Sequence, residues 1–182
     1  MKYRLADRAD LPAMLEIYRP YVEEETVSFE YETPSPEAFS ARFERISADF
    51  PWYVAEDDGA VIGYAYASRA FERAAYQWDA DMSVYIAKDF HGRGVGRALY
   101  EILERDLIAM GYVNAYALIT QENAASIAFH EKMGYRFMAE MPAAGYKFGR
   151  WLSVAWYSKR LREAADPGEA PKRFSETAKN GK

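Results

Sequence analysis

Residues 89–99 read Asp89-Phe90-His91-Gly92-Arg93-Gly94-Val95-Gly96-Arg97-Ala98-Leu99, between a strand-like run and the most regular helical pattern of the chain. Three glycines in five residues let the backbone turn tightly and present a row of N–H groups. The helix that follows adds unpaired first-turn N–H groups and the positive end of its dipole. The spacing matches neither the dinucleotide fingerprint nor the P-loop. The stretch therefore predicts a phosphate-binding turn or a tight connection without a ligand.

Composition limits the functional classes. With 182 residues, half of them hydrophobic, the chain suits one folded domain with a full core. A net charge of -5 argues against a nucleic-acid surface. Without cysteine and with two histidines, neither disulfides nor a usual metal site is expected. No apolar run reaches membrane-spanning length, so we expect a cytoplasmic protein with no membrane partner.

The first half of the chain predicts a strand, two helices and an antiparallel meander. The first helix follows Asp10 as its cap and is kinked or ended by Pro20. The segment 26–31 is predicted to be extended, and Ser35 to cap a helix over 36–48. Asp57-Asp58-Gly59-Ala60 is a hairpin turn. From residue 76 to 86 the chain alternates, with Trp78, Ala80, Met82, Val84 and Ile86 on one face and a polar set, Gln77, Asp79, Asp81, Ser83 and Tyr85, on the other.

The second half predicts a βαβα unit and a last strand. A helix runs from the glycine stretch to Gly111, and a strand covers 115–120. A helix from Asn123 to Met133 follows, then a strand over 135–140, a loop over 141–150 and a strand over 151–161. The predicted fold is α/β (α+β): a single mixed, mainly antiparallel sheet flanked by helices, over residues 1–162. Residues 163–182 are predicted to form a disordered tail.

The alternating strand points its polar face toward the glycine stretch. A ligand with phosphates on the glycines would extend along this strand and place its reactive end near Asp81 and Ser83. Free N–H groups near residues 84–86 would pair with a peptide-like arm and polarise a carbonyl. Asp79 or Asp81 is available as a general base, and a solvated surface carboxylate remains the alternative for each.

Three stretches in order carry a resemblance to a known family. They are Val84-Tyr85-Ile86, the glycine stretch from His91 to Leu99, and Asn123 to Tyr135, which together resemble the acyl-CoA motifs of the GCN5-related N-acetyltransferase (GNAT) superfamily. The resemblance covers roughly residues 2–161. Four further stretches are similar to the phosphinothricin/methionine sulfoximine acetyltransferase group: 26–29, 51–55, 76–85 and 145–151.

The resemblance implies acetyl-CoA as co-substrate, no metal, and a set of cofactor contacts. Backbone amides of the glycine stretch would hold the pyrophosphate, with side chains nearby: His91, Gly92, Arg93, Gly94, Val95, Gly96 and Arg97. The strand before it would lie along the pantetheine and offer an amide to the thioester oxygen, through Val84, Tyr85 and Ile86. Asn123 and Ser126 would meet the pantetheine arm. His91 stands where the family carries Gln or Arg, a departure that backbone binding tolerates.

The resemblance also implies the catalytic groups. The group's catalytic Glu falls on Asp81, which is one methylene shorter and would act as base directly or through an ordered water. Amides near Tyr85 would hold the oxyanion. His130 stands where many relatives carry a Tyr acid and would protonate the leaving thiolate, unless it is a packing residue.

The implied acceptor is the α-amine of a small amino acid or analogue. Arg73 would pair with its carboxylate or phosphinate. The implied pocket further includes Phe29, Tyr31, Phe71, Glu72, Tyr76, Met82, Ser83, Lys147 and Phe148. Ser153 replaces an Asp of the group, which leaves pocket or dimer details open. The resemblance implies a homodimer; the alternatives are another amine acceptor, such as a protein N-terminus, polyamine or aminoglycoside, and a non-catalytic acyl-CoA-binding module.

Overall fold

A computed structural model describes residues 1–165 and 168–177. The helices are α1 (Leu11–Glu23), α2 (Pro36–Ser47), α3 (Val95–Met110), α4 (Ala124–Lys132) and α5 (Phe174–Thr177). The strands are β1 (Lys2–Leu5), β2 (Trp52–Asp57), β3 (Ala60–Arg69), β4 (Asp79–Ile86), β5 (Asn114–Thr120), β6 (Arg136–Lys147) and β7 (Arg150–Arg160). They form one sheet in the order β1-β2-β3-β4-β5-β7-β6, in which only β4 and β5 run parallel. The predicted fold class is confirmed.

Helices cover both faces of this sheet. On one face α3 buries Leu99, Leu103 and Leu107 against β3 and β4. On the other face α1 and α2 pack Met14 and Phe39 against the centre of the sheet. Burial of these side chains supplies most of the stability, at about 1.5–3 kcal/mol for each large apolar residue. No helix among the described residues is long and apolar enough to cross a bilayer.

Two details of α1 differ from the prediction. Of the two outcomes predicted for Pro20, a kink or an end, the end is wrong, because the helix continues through Pro20 to Glu23. Asp10 occupies the N-cap position of α1 as predicted but makes no side-chain capping bond, whereas Asp7 caps the 3-10 turn Arg8–Asp10 by accepting from Ala9 N. The Asp10 carboxylate instead accepts from Arg4, whose two terminal nitrogens lie 2.6 and 2.7 Å from the carboxylate oxygens. The segment that follows α1, predicted to be extended, is an irregular loop.

The hairpin of β6 and β7 replaces a predicted loop. β6 continues from Arg136 to Lys147 and reaches β7 through Phe148 and Gly149, both at positive φ (51° and 74°). Two register shifts interrupt the pairing with β7, the second between Met141 and Gly145. These shifts break the two-residue alternation, which explains why the segment does not have the pattern of a strand.

Part of the predicted disordered tail lies against the domain. Lys172 N donates to Met110 O at 2.8 Å, and Phe174 N donates to Asp49 O at 3.0 Å. The Phe174 ring packs beside the α3 core, and the Trp78 indole donates to Glu169 O at 2.7 Å. One docked aromatic residue creates no periodicity in the sequence, so the pattern gave no sign of this contact. The rest of the predicted tail, residues 166–167 and 178–182, lies outside the described residues.

Candidate active site

The sheet opens between its two parallel strands. β4 and β5 pair only from Asp79–Asn114 to Asp81–Tyr116. Beyond that point β4 stays paired with β3 and β5 stays paired with β7. The second half of β4, residues 82–86, therefore has no strand partner on its β5 side. This opening accepts an extended, amide-bearing ligand as an additional strand.

The hydrogen-bond alternation decides which amides face the opening. Ala87 N donates to Ile62 O, and Ala70 N donates to Asp79 O, so odd-numbered β4 residues exchange their bonds with β3. The N–H of Tyr85 is thus directed to β3, which corrects its predicted contact with a thioester. The N–H groups of Val84 and Ile86 are directed away from β3, toward the opening. The bond from Ile86 N to the Tyr21 hydroxyl agrees with this direction.

The Tyr85 side chain belongs to an aromatic cluster instead. Its ring packs edge-on against Tyr18 and Tyr21 of α1, at 4.8 and 5.3 Å between centroids, and lies 5.3 Å from Tyr64. Burial raises the pKa of the Tyr85 hydroxyl well above its usual value. The predicted polar face of β4 is consequently covered by α1 at this end.

The glycine turn meets the opening at the end of β4. Gly92 and Gly94 have φ of 73° and 81°, which only glycine adopts without strain. Gly94 caps α3 without a side chain, and the first turn of α3 carries no acidic residue. The first-turn N–H groups and the positive helix end are therefore left for an anionic ligand. Such a turn is suited to the phosphate groups of a ligand.

The polar side chains of the turn, His91, Arg93 and Arg97, are exposed, whereas the Val95 side chain is buried in the core. Arg97 pairs with Glu101 at 2.8 Å, and Arg93 lies over the Phe90 ring at 4.8 Å. His91 Nε2 lies 2.9 Å from both Ile86 O and the Tyr21 hydroxyl. Backbone, not these side chains, forms the floor of the turn.

Asp81 lies where the parallel pairing ends. One of its oxygens, Oδ1, is buried and has no hydrogen-bond partner among the described residues. Burial raises the pKa of Asp81 to about 7, and a hydrogen bond from the Met82 backbone partly opposes the shift. A carboxyl with this pKa accepts a proton efficiently near neutral pH, which is what a general base requires.

His130 is a core residue. Its Nδ1 lies 2.8 Å from Ser126 O, a carbonyl that only accepts, so Nδ1 carries the proton. Nε2 then accepts from the Tyr100 hydroxyl at 3.0 Å. Burial lowers the pKa of His130 to about 4, so the ring is neutral at pH 7. With its single N–H committed, His130 has no proton to deliver, contrary to the prediction.

We expect His130→Phe to reduce stability more than catalysis. The change removes the bonds to Ser126 and Tyr100, at a cost of about 1–3 kcal/mol in unfolding free energy. The turnover number should stay within about tenfold of wild type, since a positioned acid contributes 10²-fold or more. Thermal unfolding and steady-state kinetics measure both. A loss of turnover above 100-fold with unchanged melting temperature would restore the proton-donor role.

Asn123 begins α4 as predicted. Its Oδ1 accepts from Ser126 N at 3.0 Å, which caps the helix. The side-chain Nδ2 has no partner in the part of the chain that the structure describes, so it remains a donor for a ligand. Ser126 Oγ lies 3.3 Å from His130 Nδ1.

An aromatic wall lies beside Asp81. The Phe71 ring packs against Tyr76, which was predicted to line the pocket, at 4.9 Å between ring centroids. It also packs against Tyr116 and Trp156, at 5.8 and 5.7 Å between centroids. Tyr116 is the β5 residue opposite Asp81. The sequence analysis missed both Tyr116 and Trp156, because each lies in a run that reads as a buried strand and only the sheet order brings them to Asp81.

Of the other residues predicted to line the pocket, one lies on the Asp81 face, one is buried in the core and three are exposed. Ser83 shares the Asp81 face, whereas the Met82 side chain is buried in the α3 core and contacts no acceptor there. Glu72 and Arg73 are exposed in the loop before β4. Phe148 is exposed at the β6–β7 turn.

Lys147 is not placed for direct contact with a substrate. It is 3% exposed, and its Nζ donates to the carbonyls of Val22, Glu25 and Ser28 at 2.6, 2.9 and 2.6 Å. All three ammonium protons are used. Phe29, in the same loop, packs against Gly145.

Comparison with known proteins now identifies the family. The model of the acetyltransferase (GNAT) domain matches residues 3–156. The chain belongs to the GNAT acetyltransferases. A GNAT phosphinothricin acetyltransferase from Sinorhizobium meliloti in complex with acetyl-CoA superposes with a TM-score of 0.87 at 36% identity, covering 94% of this chain and 92% of that one.

Two relatives define the position within the family. The phosphinothricin N-acetyltransferase of Streptomyces viridochromogenes is 34% identical over 92% of this chain and 91% of its own length. The L-methionine sulfoximine/L-methionine sulfone acetyltransferase of Salmonella typhimurium is 34% identical over 92% and 98%. This GNAT protein is an acetyl-CoA-dependent N-acyltransferase. No cluster of metal-binding side chains occurs among residues 1–165 and 168–177.

Proposed function

We propose that this GNAT enzyme transfers the acetyl group of acetyl-CoA to the α-amine of a small amino acid of the phosphinothricin or methionine sulfoximine type. The observation that carries the proposal is the Asp81 carboxyl at the mouth of the opening in the sheet, whose Oδ1 is buried without a hydrogen-bond partner among the described residues. The names of the relatives supply the acceptor class.

Acetyl-CoA would be held by backbone. The amides of residues 91–96 and the first turn of α3 would bind the pyrophosphate. Val84 would pair with the pantetheine arm and donate its N–H to the thioester oxygen, while Asn123 Nδ2 would donate to the arm from the other side. The exposed guanidinium groups of Arg93 and Arg97, which belong to the turn, would attract the pyrophosphate. Salt would screen this attraction because the groups are at the surface.

The acceptor ammonium group would lose one proton to Asp81, directly or through a water, and the free amine would attack the thioester carbon. The nitrogen would lose its second proton to water as the tetrahedral adduct collapses to the amide. A C–N bond forms, the C–S bond breaks, and the electron pair leaves with sulfur. A thiol has a pKa of about 8.5, so the thiolate takes a proton from solvent without a dedicated side-chain acid. Direct attack needs no enzyme nucleophile, and the chain has no cysteine. Orienting both reactants supplies much of the rate.

The acceptor side would consist of the aromatic wall and the loop before β4. Phe71, Tyr76, Tyr116 and Trp156 give an apolar surface for a short side chain. Exposed Arg73 supplies a guanidinium for the acceptor carboxylate. One cation in an aromatic pocket favours a small anionic acceptor over a polyamine.

A CoA-release assay with a substrate panel tests the proposal. We expect turnover with phosphinothricin, methionine sulfoximine and methionine sulfone, and much slower turnover with spermidine, an aminoglycoside and an N-terminal peptide. Faster acetylation of one of the last three would establish a different amine acceptor. Acetyl-CoA binding by calorimetry without turnover on any amine would indicate a binding module.

We also propose that a second copy of this chain covers the β6–β7 hairpin. β6 is an edge strand, and the hairpin exposes five large apolar residues, Phe137, Met138, Tyr146, Phe148 and Trp151. An open apolar edge of this length promotes association.

Sedimentation should therefore give a dimer, and Trp151→Glu, at a side chain that is 66% exposed, should give a folded monomer. Wild-type protein that sediments as a monomer at the highest concentration at which it stays soluble would contradict the dimer.

A further inference from the structure

The loop between α1 and α2 is tied to the β6–β7 hairpin by one buried ammonium group. Lys147 Nζ donates to three backbone carbonyls, of Val22, Glu25 and Ser28, at 2.6 to 2.9 Å. No carboxylate pairs with it among the described residues. The ammonium also lies over the Phe148 ring, 4.9 Å from its centroid. A buried charge whose donors are all satisfied by backbone carbonyls is placed to hold backbone.

The first of these carbonyls belongs to the C-terminal turn of α1. This helix has no basic residue in its last turn, and Glu23 ends it with an acidic one. Lys147 therefore supplies, from a distant part of the chain, the positive charge that a helix C-terminus favours. The other two carbonyls lie in the loop itself, so the same nitrogen fixes the exit of the helix and the first turn of the loop.

Two neighbours of Lys147 on β6 hold the next part of the loop. A Cβ at Gly145 would lie 2.2 Å from the Phe29 ring, so the ring occupies the space that a side chain at residue 145 would fill. The Tyr31 hydroxyl donates to Tyr146 O at 2.8 Å. Three consecutive residues of β6 thus contact the loop between Val22 and Tyr31.

The loop contacts the aromatic cluster over β4. The Tyr18 hydroxyl lies 2.7 Å from Ser28 Oγ and donates to Glu30 at 2.6 Å. The Tyr18 ring in turn packs against Tyr85, on the face of β4 that carries Asp81. A shift of the loop is therefore transmitted through packed rings to the face of the proposed base.

We propose that Lys147 is a positioning residue for the acceptor: by binding the carbonyls of Val22, Glu25 and Ser28 it holds residues 24–31 as a rigid wall of the acceptor site, and it does so without touching the acceptor. The inference rests on the proposed function and adds the loop of residues 24–31 to the acceptor side, because Tyr18 connects this loop to Tyr85 on the Asp81 face of β4. It predicts that loss of this anchor changes acceptor affinity far more than acetyl-CoA affinity, because the proposed cofactor contacts lie on α3, on β4 and at Asn123 before α4.

Lys147→Met tests this role, because methionine keeps the apolar stem and removes the three donors. We expect the acceptor KM to rise about tenfold or more, equivalent to about 1.4 kcal/mol, with the acetyl-CoA KM within about twofold. Lys147→Arg should recover little, since a planar guanidinium cannot direct three N–H groups from one nitrogen. Lys159→Met is the matched control: Lys159 Nζ pairs with Glu104 at 2.7 Å, away from the loop.

Equal rises in both KM values, or the same acceptor effect in Lys159→Met, would assign Lys147 to general stability and overturn the proposal. If Lys147→Met does not fold, Gly145→Ala replaces it, since it displaces Phe29 and leaves the ammonium in place; it should raise the acceptor KM alone.

Hydrogen exchange separates this inference from the proposed function. Amides of residues 24–31 should exchange faster in Lys147→Met than in wild type or Lys159→Met, whether or not the enzyme accepts any amine of the panel. Unchanged exchange would refute the anchoring role. Absence of turnover in wild type, with faster exchange in the variant, would refute the proposed function and leave the anchoring established.

Discussion

Asp81→Asn is expected to lower kcat by about 10²- to 10⁴-fold, the range for removal of a positioned general base. The amide keeps the shape of the carboxyl but cannot accept the proton of the ammonium group. Acetyl-CoA binding, measured by calorimetry, should be unchanged, because none of the proposed cofactor contacts involves the Asp81 side chain. Steady-state CoA release with a saturating acceptor gives the rate.

The pH dependence gives a second signature. The pKa of Asp81 is raised to about 7 by burial, and the base acts in its ionised form. In wild type kcat/KM should rise with pH and level off above about 7. The residual activity of Asp81→Asn should lack this limb. Asp81→Glu, which retains a carboxylate, should keep the limb and stay within about tenfold of the wild-type rate.

The raised pKa of Asp81 makes stability fall as pH rises, whereas activity is expected to increase. Because the folded protein binds this proton more tightly than the unfolded chain, the contribution of Asp81 is favourable at low pH and is lost as pH rises from about 4 to about 7. Asparagine does not ionise. Above pH 7 Asp81→Asn should therefore be more stable than wild type, by about 1–3 kcal/mol after allowance for partial exposure. A variant that is both fully active and no more stable at pH 8 would contradict the assignment of Asp81.

Gly94→Ala is expected to weaken acetyl-CoA binding by about 10- to 100-fold, equivalent to about 1.4–2.7 kcal/mol. Gly94 has φ of 81°, and a Cβ there costs about 1–2 kcal/mol of backbone strain. We expect the turn to relieve this strain by rotating the amides that are proposed to bind the pyrophosphate. Calorimetric titration with acetyl-CoA measures the loss, and kcat at saturating acetyl-CoA should change little.

Gly59→Ala is the matched control for that change. Gly59 also has φ of 81°, lies in the β2–β3 hairpin turn and, like Gly94, has open space where a Cβ would be. Both variants should lose similar unfolding free energy. Only Gly94→Ala should lose affinity for acetyl-CoA, so equal dissociation constants in the two variants would show that the glycine turn does not bind the pyrophosphate.

The sequence by itself determined the elements whose signals are local. The three glycines, Asn123 as a helix cap, the Asp57–Ala60 turn and the alternation of β4 each depend on a few neighbouring residues, and the structure confirms them. The three motifs, in their order along the chain, also predicted the GNAT superfamily and its cofactor acetyl-CoA. Their spacing carries this information because members of the family share one fold.

Tertiary structure alone decided the chemistry of individual groups. Hydrogen-bond alternation with β3 turned the N–H of Tyr85 away from the opening, burial made His130 neutral, and backbone carbonyls occupied Lys147. The wall of Tyr116 and Trp156 arose in the same way, from strands paired in an order that no local pattern encodes. The physical reason is that donors, solvent exposure and pKa depend on partners far away in sequence, whereas turns, caps and alternation depend on neighbours.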